Sequence, residues 1–152
     1  MRLPSLALTL ALATAACSAG SNVAGPSSNG TVPTGLLSAN INGTSWKANT
    51  LLRASHINGI VAISGNDVDQ TLAMALPADA PGTYSIGLLS AVNAELTTKT
   101  GDVWAASGNV GNGSVTITSL TATNVTGTFA FTLVKSGSPE KSITNGAFNM
   151  NF

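Results

Sequence analysis

The chain has 152 residues, enough for one domain and a short additional segment. Charged residues make up only 8%, and six Lys and Arg balance six Asp and Glu, so nothing in the charge points to nucleic acid or another polyanion as a partner. Ser, Thr and Asn carry the polarity instead, and because Thr suits β faces and Asn suits turns, the composition is that of an all-β extracytoplasmic domain and not of a disordered chain.

Residues 1–16 read as a secretory signal. Met1-Arg2 gives a short positive start, and Leu3 to Ala16 is then apolar or small, broken by Pro4, Ser5, Thr9 and Thr14. That stretch is too short for a transmembrane helix, and no later apolar run approaches the roughly 20 residues that span a bilayer. It ends Leu12-Ala13-Thr14-Ala15-Ala16-Cys17, small residues before a cysteine. This resembles a bacterial lipobox, in which the cysteine sulfur receives a diacylglycerol and becomes the mature N-terminus. Thr14 stands where Leu is usual, and Ala13-x-Ala15 also fits ordinary cleavage after Ala15, which would release a soluble secreted or periplasmic protein. Cys17 is the only cysteine, so it has no internal disulfide partner. The lipid reading explains both its position and its solitude. Residues 17–34 then follow as a Ser-, Gly-, Asn- and Pro-rich linker without periodicity, expected to tether a domain over residues 35–152. Ser18 directly after the cysteine goes with outer-membrane sorting.

Beyond the linker, short segments alternate with a period of two. Leu37, Ala39 and Ile41 share one face, and Asn42-Gly43 then leads to Thr44–Ala48. Asn58-Gly59 repeats the device between Leu51–Ile57 and Ile60–Ser64. Asn-Gly between two such runs is the strongest local hairpin signal, because both turn residues need positive φ. Leu72, Met74 and Leu76 line one face of the next strand, which Pro77 and Pro81-Gly82 end. Thr83 to Ile86 is a short strand, and Gly87 to Ala94 has the spacing of a helical turn without a cap. Glu95–Thr98 and Val103–Ser107 form a hairpin around Thr100-Gly101-Asp102.

The end of the chain organises the rest. Ser114 to Leu120 is a strand, and in Val125 to Val134 the residues Val125, Gly127, Phe129, Phe131 and Leu133 share a face. All four phenylalanines lie in this final block, which should therefore supply much of the core. Ile143 has odd parity whereas Phe148, Met150 and Phe152 have even parity, so one extra residue, a bulge at Asn145-Gly146 with Gly146 at positive φ, is expected to reconcile the faces. The sum is nine or ten short strands in an antiparallel β-sandwich or flattened barrel.

The order A-N-I-N-G-T-S-W-K-A, P-G-T-Y-S-I, G-S-V-T-I-T-S-L, V-T-G-T-F-A-F-T-L and T-N-G-A-F-N resembles a family of small lipoproteins of unknown function from Bacteroidota and relatives. The resemblance implies a secreted β-domain on a lipid anchor, and it implies no catalytic residues.

Chemistry-bearing residues are few. His56, the single histidine, lies beside the Asn58-Gly59 turn without a nucleophile context. Asp67-Val68-Asp69 offers two carboxylates, far short of the six to eight oxygens of a Ca²⁺ site, and reads as a solvated hairpin tip. Zinc spacings and phosphate loops are absent, so no metal and no cofactor is expected. Trp46, Tyr84 and Trp104 are the candidate ligand-binding residues, since exposed aromatics on a β face stack on sugars; the competing role of both tryptophans is core filling. The expectation is a non-enzymatic envelope lipoprotein, a structural or interaction module held on the membrane by its N-terminal lipid, with a glycan or another envelope protein as partner. The alternative is a glycan- or small-ligand-binding module that uses those aromatics.

Overall fold

In a computed structural model of the chain, the structure describes residues 34–152. The signal segment, Cys17 and all of the linker but its last residue lie outside the described residues. Among the described residues there are eleven strands and no helix: β1 (Leu36–Ile41), β2 (Thr44–Lys47), β3 (Thr50–Ile57), β4 (Ile60–Asn66), β5 (Gln70–Pro77), β6 (Gly82–Ser85), β7 (Asn93–Thr98), β8 (Val103–Ser107), β9 (Asn112–Leu120), β10 (Asn124–Leu133) and β11 (Lys141–Asn151). All pairings are antiparallel. One sheet has the order β2-β1-β11-β10-β9-β6 and the other β3-β4-β5-β7-β8. The all-β sandwich read from periodicity is the fold, with one or two strands more than expected.

The Asn-Gly turns form as the sequence predicts. Asn42 and Gly43 have φ of 49° and 80°, and Asn58 and Gly59 have φ of 50° and 74°. Gly87 to Ala94, whose spacing allows a helical turn that no cap supports, carries a tight turn closed by Ser90 N–H donating to Gly87 C=O at 2.9 Å, and β7 begins at Asn93. A lone apolar cluster without an N-cap gives a helix nothing to start from.

The two sheets face each other across one core. Leu37, Ile41, Phe129, Phe131, Ile143 and Phe148 come from the first sheet, and Val61, Ile63, Leu72, Met74, Leu76 and Leu96 from the second. Phe129 stacks between Phe131 and Phe148, with ring centroids 5.5 and 6.3 Å away. Phe152 shares the parity of Phe148 but lies past the end of β11, where it stays partly exposed and rests on the His56 ring at 5.6 Å.

The strands of the sheets run crosswise. β11 ends against β3, where Phe152 meets His56, whereas the neighbouring β10 ends against β8, where Ala105 and Val134 exchange backbone hydrogen bonds of 3.0 and 2.9 Å. Strands of the first sheet thus cross the second from its β3 edge to its β8 edge, the steeper of the two ways in which sheets pack. The outer face of the first sheet is a hydroxyl ladder. One row across all six strands reads Thr83, Thr116, Thr128, Ala147, Ser38 and Lys47, with Lys47 guarding the β2 edge.

The bulge in β11 exists. Phe129 pairs with Gly146 and Phe131 with Ile143, so two residues of β10 face a longer run of β11. The positive φ, 52°, belongs to Asn145 and not to Gly146. Gly146 is needed for a different reason: a Cβ there would lie 2.5 Å from the ring and the carbonyl oxygen of Phe129.

Candidate functional site

The three aromatics do not converge. Trp46 lies on β2 and Tyr84 on β6, the opposite edges of the first sheet, and Trp104 lies on β8, an edge of the second. Trp46 is 3% exposed, so the expectation that it stacks on a ligand is corrected: it is a core residue, because its face of β2 is the one turned toward the second sheet. Tyr84 is half-buried, and its hydroxyl donates to Ala80 C=O at 2.6 Å.

Trp104 pairs across the ladder with Leu96, a fully buried core residue, so it is the inward member of β8 and Val103 the outward one. Its remaining open part is covered. The indole N–H donates to Pro139 C=O at 3.0 Å, and the ammonium groups of Lys141 and Lys135 lie 4.5 and 5.0 Å from its ring. Such cation–π contacts contribute about 0.5–1 kcal/mol each at exposed sites. Lys135 also pairs with Asp102. The Lys135 hydrogen bond, then that from Thr100, then the Lys135 charge hold the Asp102 carboxyl below its ordinary range.

His56 sits on the inward face of β3, opposite Val61, with Nε2 3.5 Å from Asp79 Oδ1. Asp67 caps the β4–β5 turn, accepting from the backbone N–H of Asp69 and Gln70 at 2.8 Å each. Asp69 pairs with Lys99 on the adjacent β7–β8 turn, and that hydrogen bond, followed by the Asp69 charge, raises the Lys99 pKa. Both carboxylates of this tip are thus engaged, Asp67 within its own turn and Asp69 in joining two hairpins. Among the described residues no three His, Cys, Asp or Glu side chains cluster as metal ligands.

A concavity lies elsewhere among the described residues. An open trough of about 740 Å³ crosses the outer face of the second sheet, with Asn151 of β11 at its rim. Ile63 and Met74 point into the core, so their neighbours Ala62, Ser64, Ala73 and Ala75 point out and form a floor of small side chains. Register aligns two rows across it, Ser55–Ala62–Ala75–Asn93 and Arg53–Ser64–Ala73–Glu95. Arg53 and Glu95 thus stand on opposite walls three strands apart, about 14 Å at the usual strand spacing. Arg53 makes no ion pair or side-chain hydrogen bond among the described residues, and Glu95 accepts from Thr97 Oγ1 at 2.8 Å. Sequence reading missed this trough because Ala and Ser carry no chemical signal. The signal present was the coincidence of small outward residues on β4 and β5, visible only once the register is known.

The fold and this surface define a small two-sheet β-domain with an open trough floored by small side chains and flanked by Arg53 and Glu95. A family described as a domain of unknown function (DUF6252) matches residues 33–150, and the chain belongs to that family. A search of curated proteins and a search of solved structures each returned no match.

Proposed function

We propose that the chain is a non-enzymatic lipoprotein of the cell envelope, anchored through acyl chains on Cys17 and presenting its β-domain as a structural or interaction module. The observation that carries this reading is the boundary. The family match begins at residue 33 and the first strand at Leu36, directly after the Ser-, Gly- and Pro-rich run that follows Cys17. In the sequence the leader and Cys17 thus precede the matched domain and its first strand. Two or more acyl chains suffice for stable anchoring, since each buried methylene contributes about 0.8 kcal/mol. Ser18 favours the outer membrane. The test is fractionation of cells: the wild-type protein should stay with membranes and leave them only in detergent, and Cys17→Ala should move it to the soluble fraction. Equal partition of the two would refute the anchor.

The trough favours a second reading, a glycan- or small-ligand-binding module, with the ligand between Arg53 and Glu95 and not on Trp46, Tyr84 or Trp104. Its size is within the usual range of ligand sites. Titration calorimetry with soluble envelope glycan fragments should give a signal that Arg53→Gln and Glu95→Gln each weaken about tenfold, the loss of one charged hydrogen bond. No heat with the wild-type protein would dismiss this reading.

A further inference from the structure

The second sheet is polar at one end and apolar at the other. At one end lie the β4–β5 and β7–β8 turns with Asp67, Asp69, Lys99 and Asp102. The register row Ile57–Ile60–Pro77 marks the opposite end. The loop leading into Asn93, the partner of Ala75, opens at that end, as does the loop after Ser107, the partner of Asn93. The exposed residues at this end include large aliphatics, Ile57 at 64%, Leu88 at 78% and Leu89 at 104% of full exposure, with Ile60 and Val110 also exposed, among polar Asn58, Asn93 and Asn109. The titratable groups placed here are Asp79 and its neighbour His56.

Leu88 and Leu89 need explanation. Val92 is buried and Ile86 packs against the core, so both ends of the loop are pinned. The Gly87–Ser90 turn then puts the two leucines at its outer corners, where Gly, Asn or Asp would be the ordinary choice. A turn gains nothing from such side chains in water, and apolar residues gathered on a surface mark a contact.

We infer that this apolar end dips into the surface of a lipid bilayer. The inference rests on the reading that the chain is held at a membrane. The apolar stretch Leu3–Ala16 and Cys17 lie outside the described residues, and the chain from Cys17 to Leu36 spans at most about 60 Å, enough for any face of the domain to reach the bilayer. Aliphatic side chains without Lys or Arg among them suit the acyl boundary and not an anionic headgroup layer. Engaging this end would turn the charged hairpin tips of the second sheet toward water.

The test uses the full chain carrying Cys17→Ala, so that an introduced thiol is the only one, with Leu89→Cys or Val68→Cys labelled by a polarity-sensitive dye. Val68 is 81% exposed at the charged end and serves as the reference. With neutral phosphatidylcholine vesicles at millimolar lipid, the dye at position 89 should brighten severalfold and shift to the blue, while that at 68 stays as in water. No shift at 89, or equal shifts at both, overturns the inference. So does a concentration-dependent shift at 89 without vesicles, which would assign this end to a second copy of the chain. Because Cys17 is absent from these chains, the outcome is independent of its modification, which intact mass reads separately.

Discussion

Asn145 and Gly146 divide one task between them. Asn145 takes the left-handed turn at φ 52°, which Asn tolerates better than any β-branched residue, and Gly146 lets the Phe129 ring approach the backbone. Gly146→Val should therefore cost about 3 kcal/mol through overpacking, read as a lower urea midpoint. Asn145→Gly should leave the midpoint nearly unchanged, and Asn145→Val should lower it. A Gly146→Val variant as stable as the parent would contradict this packing. The sequence revealed that a residue was inserted, because parity flips between Ile143 and Phe148, but parity does not say which neighbour adopts the unusual φ. The tryptophans teach the same limit. Alternation assigns Trp46 and Trp104 to faces of their strands, but whether a face is covered depends on the sheet opposite. Trp46→Ala should accordingly cost about 3–5 kcal/mol, the range for emptying a large core site. Trp104→Ala should cost less, since that ring is half-exposed under two lysines. Urea denaturation of the two variants side by side checks the order.

At the scale of elements, hairpin tips are joined by ion pairs. Lys99 links the β7–β8 turn to Asp69 of the β4–β5 turn, and Lys135 links Asp102 to the start of the β10–β11 connection. Asp102 has its pKa lowered from 3.8 by the Lys135 hydrogen bond first. A carboxyl whose folded pKa lies below the unfolded value adds stability that is whole above the unfolded value and disappears as pH falls through the folded one. The urea-midpoint difference between the wild type and Lys135→Met should thus be constant near neutral pH and narrow below about pH 4, leaving the pH-independent loss of the Trp104 contact. A difference that does not narrow would show that Asp102 contributes nothing. The Asn-Gly hairpins were legible because their turns use positive φ that few other residues adopt. The β6–β7 loop was not, since Leu88, Leu89, Ala91 and Val92 have helical spacing by accident, and three of the four turn out to face water.

For the molecule as a whole, two-residue periodicity was enough to imply a sandwich, because a sheet with one apolar face must cover it. The order of strands was hidden. β1 pairs with β11 and β6 with β9, and nothing local announces partners so distant in the chain. The crosswise packing and the small-residue floor between Arg53 and Glu95 follow from that order, so the trough was out of reach of pattern reading. The proposed anchor is the reverse case: Cys17 after its apolar leader is legible in the sequence and lies outside the described residues. The most direct measurement is the intact mass of the protein extracted from membranes, with Cys17→Ala alongside. The expected result is a chain starting at Cys17 and heavier than its polypeptide by a diacylglycerol, with or without a further acyl chain, a gain that Cys17→Ala abolishes. An unmodified chain starting at Ala16 would contradict it.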